Sequence, residues 1–529
     1  MNRRRFIRSA GATGLALATL PTLVDSFAVK ALAYGDTGFE HLLDSTDRIL
    51  VLIQLTGGND GLNTVIPYTN PKYFTNRPTI AIPKSKALFL NDTLGWHPSL
   101  AGFRSLYDEG RLAVVQGVTY PNPDRSHFRG TDIWLTSTDS NVFGSTGWVG
   151  RYLQTIAPNY PQQLPEHPLA VQIGTSMSLG FTGPNGTMGV SFRDPDEFYR
   201  LVNSGGGGEE IPAGNLGDTP AGREVDFMRT ISRASNVYAS VVKAAADNAV
   251  TPTTQFPNTD IGNKLKAVSQ LIRGGLKSRV YMVSWQNGNF DTHANQVSAV
   301  DSTQGAHAQL LSQLGDAVAA FMTDMKTNNL DDKVAGMTFS EFGRRVAENG
   351  STGTDHGTAA PLFVFGKDVD GGKLFGNDPD LTNLDERGDL LMVNDYRNVY
   401  ASVLLQWFGT SSTTAQSVLF KDLRPSMVPV FKSPVSVNDE AASPMRRCSV
   451  TSMSPNPATG VVTIRADVHH NAHVGLTLSD MRGRLVRTVA VDAWTGLATV
   501  DVSGLAAGTY VVTLRADRDA AHTFLQVGR

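Results

Sequence analysis

The chain has 529 residues, of which 41% are hydrophobic and 51 are glycine, a formal net charge of −3 and one cysteine. That length exceeds one typical domain, and the near-neutral charge gives no reason to expect nucleic acid or a strongly charged partner. The single thiol, Cys448, excludes any disulfide within the chain and leaves stability to packed cores and bound ions.

Arg3, Arg4 and Arg5 precede Phe6, a weakly apolar Ala/Gly/Leu run and Ala31-Leu32-Ala33, an A-x-A cleavage site. Paired arginines, the nearby phenylalanine and modest hydrophobicity resemble a twin-arginine leader, which implies the twin-arginine translocase as a partner and export in the folded state. A general secretory signal is the alternative, and on either reading residues 1–33 are a signal peptide outside the fold. No uncharged run reaches the roughly 18 to 20 strongly apolar residues of a membrane span, so no transmembrane segment is expected.

Residues 48–55, RILVLIQL, form the near-continuous apolar run of a strand buried on both faces in a parallel sheet. The run breaks into Thr56-Gly57-Gly58-Asn59-Asp60-Gly61, placing Asp60 just past the strand end. Asn59-Asp60-Gly61 reads equally as a turn or as the source of a metal-binding carboxylate. His97-Pro98 opens an amphipathic helix, and residues 112–118 are the next strand. In Pro121-Asn122-Pro123-Asp124-Arg125-Ser126-His127, Asp124 is the expected N-cap, with Ser126 and His127 in a first turn that favours an anion. Ser126 is there either a second capping residue or a reactive hydroxyl, and His127 either a core or a site histidine.

Residues 218–250 and 262–276 have helical spacing and are expected to form a cover. Residues 279–285, RVYMVSW, are another buried strand, which empties toward Asp291-Thr292-His293. An Asp and a His one residue apart at a strand exit can reach one metal; the alternative is a capping Asp beside a surface His. A helix over 305–326 begins near His307 and leads to strand 334–339. The following stretch, SEFGRRVAENGSTGTDHGTAAP, delivers Glu341, Arg344 and Arg345, then Asp355 and His356 just before a further strand at 361–365. Acidic and imidazole groups where buried strands empty into loops are the layout of an α/β active site. The alternation predicts a doubly wound α/β domain over residues 45–432, a linker over 433–453, and, from short alternating segments, a small all-β sandwich over 454–529.

Two resemblances rest on these residues. LTGGNDGLNTVIPY (55–68), PDRSHF (123–128), FDTHANQ (290–296), TFSEFGRRVAENGS (338–351) and TDHGTAAP (354–361) resemble the family called domain of unknown function 1501, which looks like a branch of the alkaline phosphatase and sulfatase superfamily. The resemblance implies an alkaline-phosphatase-like fold and a metal set of Asp60, Asp291, His293, Glu341 and His356, holding one or two divalent ions: zinc, manganese or magnesium. It further implies Ser126 as nucleophile. A second ion or an arginine would neutralise the ester's non-bridging oxygens, and Arg125, Arg344 and Arg345 are the candidates, because a guanidinium fork matches phosphate geometry. Phe342 stands where the superfamily has a ligand histidine, so a second metal is weaker, absent, or completed by His127 or His307. TYPNPDRS does not fit the C/S-x-P-x-R pattern of sulfatases that mature a formylglycine. SPNPATGVVTI (454–464), DMRGRLVRT (480–488) and GLAAGTYVVTLRA (504–516) resemble the C-terminal sorting domain of the type IX secretion system, which implies that machinery as a partner.

The expected protein is therefore an exported metal-dependent hydrolase of phosphate or related esters. Its substrate is a small-molecule or glycan-linked ester, and its route runs through the periplasm to the cell surface or beyond. The alternative is a non-catalytic cell-surface binding protein that keeps the fold.

Overall fold

The computed structural model describes residues 47–204, 219–249, 251–285, 289–421, 423–432, 448–468, 474–480, 484–491, 497–516 and 519–528. The chain divides into two compact units, residues 1–433 and 434–529. The expected signal peptide lies outside the described residues, as does the linker up to residue 447.

The first unit is built on a nine-stranded sheet. Its strands are β1 (Ile49–Gln54), β2 (Leu112–Thr119), β3 (Ala170–Ile173), β4 (Val190–Phe192), β5 (Val280–Ser284), β6 (Val334–Phe339), β7 (Ala360–Gly366), β8 (Lys373–Phe375) and β9 (Asn394–Asp395). Across the sheet the order is β8-β2-β7-β6-β1-β5-β3-β4, with β9 also paired to β2. The central strand β1 pairs in parallel with both β5 and β6. Its apolar run is continuous because both faces are covered. Val51 and Ile53 join the core formed with helices α1 (Ala101–Asp108), α4 (Pro220–Asn248), α5 (Asp260–Arg273) and α6 (Ala306–Thr327). Leu50 and Leu52 join the opposite core, under α2 (His127–Thr136), α3 (Trp148–Ile156) and α7 (Tyr396–Ser402). This is the expected doubly wound α/β arrangement.

One strand departs from it. β7 runs antiparallel to both β6 and β2. No helix intervenes between β6 and β7, so the chain turns back instead of crossing over. The reversal brings the start of β7 to the edge where the parallel strands end, and the residues just before it with it.

The second unit is all β. β10 (Cys448–Ser454), β11 (Val461–Val468) and β14 (Leu497–Asp501) form one sheet, and β13 (Leu485–Ala490), β12 (Val474–Asp480), β15 (Gly508–Ala516) and β16 (Asp519–Val527) the other. Alternate residues such as Val462, Ile464, Leu476, Leu478, Val512 and Leu514 form its core, the period-two pattern of half-buried strands. The linker reading requires a correction: residues 448–454 are strand, because this polar Ser/Thr stretch pairs with β11 through its backbone.

Candidate metal centre

The site assembles at the carboxyl edge of the sheet, where loops following β1, β2, β5 and β6 meet the segment entering β7. The loop after β1 fits only because Gly57 has φ 112°, and a Cβ there would stand 2.3 Å from the Asp291 backbone nitrogen. That close approach seats Asp291 against the strand end.

Three histidines converge on Asp291. His356 Nε2 and His293 Nε2 each lie 3.1 Å from Asp291 Oδ1, and His127 Nε2 lies 3.5 Å from Oδ2. Each ring is anchored through its other nitrogen: His356 Nδ1 at 2.8 Å from the Arg125 carbonyl oxygen, His293 Nδ1 at 3.1 Å from Asp355 Oδ1, and His127 Nδ1 at 2.9 Å from Glu341 Oε1. Carbonyl and carboxylate oxygens accept, so Nδ1 carries the hydrogen in each neutral ring and the Nε2 lone pairs face inward. His293 Nε2 and His356 Nε2 stand only 2.9 Å apart. Two lone pairs at that separation repel unless a proton or a cation lies between them. Anchored imidazoles whose free nitrogens meet a carboxylate are the donor arrangement of a metal site. Among the described residues, His127, Asp291 and His356 form the group able to hold an ion.

Electrostatics follow from the same contacts. The bond that His127 donates to Glu341 raises the His127 pKa, while burial lowers that of His356. Burial pushes Asp291 upward, but the Arg344 guanidinium and the histidines outweigh it and hold its carboxyl below the ordinary value. Asp355 is held low by its bond from Asn349, with His293 adding to the effect.

The structure distributes the expected site residues unevenly. Asp291, His293 and His356 come together as read. Glu341 stands one step back: it is buried, accepts from Gly57 N–H at 2.7 Å and orients His127, while its Oε2 has no hydrogen-bond partner among the described residues. His127, left undecided by the sequence, is the group that faces Asp291. Asp60 is placed elsewhere, fully buried, with Oδ2 2.7 Å from Arg77 Nη1 and 2.5 Å from Gln296 Nε2. Burial raises its pKa, but Arg77 outweighs that and leaves it below the ordinary value.

Arg344 does not face solvent as an ester ligand. Its fully buried guanidinium donates to the Gly57 carbonyl, to Gly58, Thr354 and Phe290 carbonyls at 2.8, 2.7 and 3.1 Å, and to Asp291 Oδ1 at 2.5 Å. It clamps the loops and holds Asp291. Arg125 bonds Asp389 Oδ2 at 3.0 Å through Nε and Asp385 Oδ2 at 3.0 Å through Nη2. Ser126 itself is the N-cap of α2, in place of Asp124, whose Oδ1 instead accepts from Ser126 N–H at 2.7 Å. The Ser126 side chain makes no capping bond and is exposed.

His307 lies in the core rather than at the cluster. Its Nε2 meets Asn59 Oδ1 at 3.0 Å, and its ring packs edge-on against His97 at 5.9 Å. Burial pushes His97 down to about 3 and His307 to about 4. A folded pKa below the unfolded value of about 6.5 means that the unfolded chain binds more protons. Stability is therefore lost as pH falls from about 6.5 toward the folded values. Each histidine should cost about 2 kcal/mol between pH 6.5 and pH 5. Urea midpoints across that range check this, and His97→Asn should flatten the slope.

Residues 239–416 match the family model described as "Protein of unknown function (DUF1501)", and residues 452–526 match the "Secretion system C-terminal sorting domain". Both resemblances read from the sequence are borne out. The second unit carries a sorting domain, which marks the protein for the cell surface or the exterior. No helix among the described residues is long and apolar enough to cross a membrane. No curated protein matches the chain.

Among solved structures, a protein in the alkaline phosphatase superfamily from Vibrio parahaemolyticus matches with TM-score 0.34 and 10% identity, over 89% of this chain and 92% of its own. A sulfatase from Pseudoalteromonas sp. matches with TM-score 0.32 and 9% identity, over 90% of this chain and 87% of its own. A phosphonate monoester hydrolase from Silicibacter pomeroyi matches with TM-score 0.32 and 9% identity, over 91% and 89% respectively. At these values the likenesses assign no activity.

Proposed function

We propose that this protein is an exported, metal-dependent hydrolase of phosphate or related esters. The observation that carries the reading is the set of three imidazoles, each anchored at Nδ1 and turned through Nε2 onto one carboxylate. His127, His356 and Asp291 would hold the ion, with His293, 2.9 Å from His356 Nε2, as a further donor. A donor set rich in imidazole suits zinc, with manganese next, better than magnesium, which prefers oxygen ligands and water. A bound ion of this kind polarises an ester oxygen and lowers the pKa of a nearby hydroxyl.

The chain's own residues do the rest. Ser126 is the reading's nucleophile because its neighbours are both pinned to the cluster: the Arg125 carbonyl accepts from His356, and His127 bonds Glu341. The exposed hydroxyl between them is held at a helix start with no capping bond to break before it attacks. Next to Arg125 opens a cavity of about 270 Å³, lined by Arg125, Arg345, Arg387, His293 and His356 and by the carboxylates of Asp355 and Asp389, where the guanidinium groups can meet an anionic ester. We place export through the twin-arginine translocase, with passage to the surface through the type IX machinery.

Ser126→Ala is the direct test, assayed on phosphate and sulfate monoesters with metal content measured in parallel. Turnover should fall by several orders of magnitude while metal and fold are kept. Hydrolysis surviving in that variant removes the nucleophile assignment. A wild-type protein that holds metal but cleaves no ester is the non-catalytic binding protein instead.

A further inference from the structure

Beside the histidines lies a second charged system, built on the turn that carries Arg387. The segment from Asp385 to Asp389 is one tight turn. Asp385 N–H donates to the Asp389 carbonyl, and Gly388 N–H to the Asp385 carbonyl, both at 2.9 Å. Asp385 Oδ1 accepts from the N–H groups of Arg387 and Asp389 at 2.9 and 2.8 Å. Gly388, at φ 79°, supplies the left-handed position that the turn needs.

Two arginines fasten this turn from outside. Arg125 bonds Asp385 and Asp389, and Arg345 Nε lies 3.4 Å from Asp389 Oδ1 while its Nη2 donates to the Arg387 carbonyl. Those two guanidinium groups are met by Asp385 and Asp389. Asp355, which also lines the cavity, is bonded by Asn349 and His293, and among the described residues Arg387 meets no carboxylate with its guanidinium. Its side chain is exposed, lines the same cavity as His293 and His356, and has no hydrogen-bond or ion-pair partner among the described residues.

We propose that Arg387 is the anion-recognition residue of this site, gripping the non-bridging oxygens of a phosphate- or sulfate-type group presented to the histidine cluster. The inference rests on the ester-binding part of the reading above. A guanidinium fork matches two oxygens of a tetrahedral oxoanion at once, which an ammonium does not. The turn holds the Arg387 backbone in place before any ligand arrives, so binding orders little beyond one side chain. Arg125 and Arg345 serve as positioning residues, acting through the turn.

The test uses the full mature protein, as purified and after addition of zinc, titrated calorimetrically with inorganic phosphate and with sulfate. The wild type should bind at least one of the two anions. Arg387→Met should weaken that binding by about tenfold or more, the loss of a charged hydrogen-bonding partner, and Arg387→Lys by less. Because Arg387 is exposed, zinc content and circular dichroism should be the same in all three proteins. Equal anion affinity in the wild type and Arg387→Met overturns the proposal, as does a wild type that binds neither anion in either state. Anion binding that depends on Arg387 in a protein that cleaves no ester keeps the assignment and removes only the hydrolase reading.

Discussion

Replacing His356 with alanine is expected to strip the mature protein of tightly held metal. His356 Nε2 is central to the cluster, 3.1 Å from Asp291 Oδ1 and 2.9 Å from His293 Nε2, so no other arrangement of the remaining side chains restores its donor. Loss of a residue that merely supports a ligand lowers metal affinity by about ten- to a hundredfold, and loss of the ligand itself should exceed that. Glu341→Gln and Asp355→Asn report the supporting effect, since each acts through the Nδ1 of one histidine. Elemental analysis of protein purified without added metal ranks all four proteins. The expected order is wild type, then the two supporting variants, then His356→Ala with essentially none. Equal metal content in wild type and His356→Ala would show that the convergence on Asp291 holds a proton and no ion.

Arg77→Met should be the most destabilising single change near the site, by about 3–5 kcal/mol, because it leaves Asp60 charged and buried without its partner. Arg77 also donates through Nε and Nη2 to the Val346 and Arg345 carbonyls at 2.9 and 2.7 Å, so the loop after Arg344 loosens too. The pH dependence has a definite sign. Asp60 has its folded pKa below the ordinary 3.8, so the pair's stabilisation is fully present above that value and lost as pH falls through the folded one. Without Arg77 nothing of that size offsets the burial that pushes Asp60 upward, so the penalty of Arg77→Met should be largest at pH 8 and shrink as pH falls and Asp60 takes up a proton, read in urea unfolding. His307 feels both Asp60 and Arg77, so its own titration shifts in the variant and the comparison is made in a His97→Asn background as well. Adding Asp60→Asn should recover part of the loss; no recovery would mean that the carbonyl bonds, and not the ion pair, carry the energy.

Strand positions were legible because both faces of the sheet are covered, and β1, β5 and β6 accordingly read as unbroken apolar runs. The edge at which the acidic and imidazole groups gather was legible for the same reason: Asp291, Glu341 and His356 all stand just beyond or before such runs. Pairings across the chain were not. His127 takes its orientation from Glu341, 214 residues away, and nothing near His127 announces that. Arg344 follows a site carboxylate and so reads as an anion ligand, yet it is buried against five acceptors that come from three separate loops. Arg77 sits in a short polar segment with no local sign that it neutralises Asp60. Arg387 lies in a polar stretch whose turn becomes visible only once Asp385 folds back over it. The reversal of β7 had a local cause, the missing helix after β6, which the alternation elsewhere concealed.

The position of β1 at the middle of the sheet also governs the order of events during synthesis. Both of its neighbours, Val280–Ser284 and Val334–Phe339, are made more than two hundred residues after it. At ordinary translation rates the first strand waits roughly a quarter of a minute to a minute for its second partner. Through that interval an apolar strand has neither of its final neighbours, and the nascent chain presents it to whatever binds unpaired strands. The centre of the sheet cannot close before residue 339 has been made, so folding of the first unit should draw on factors that shield the emerging chain.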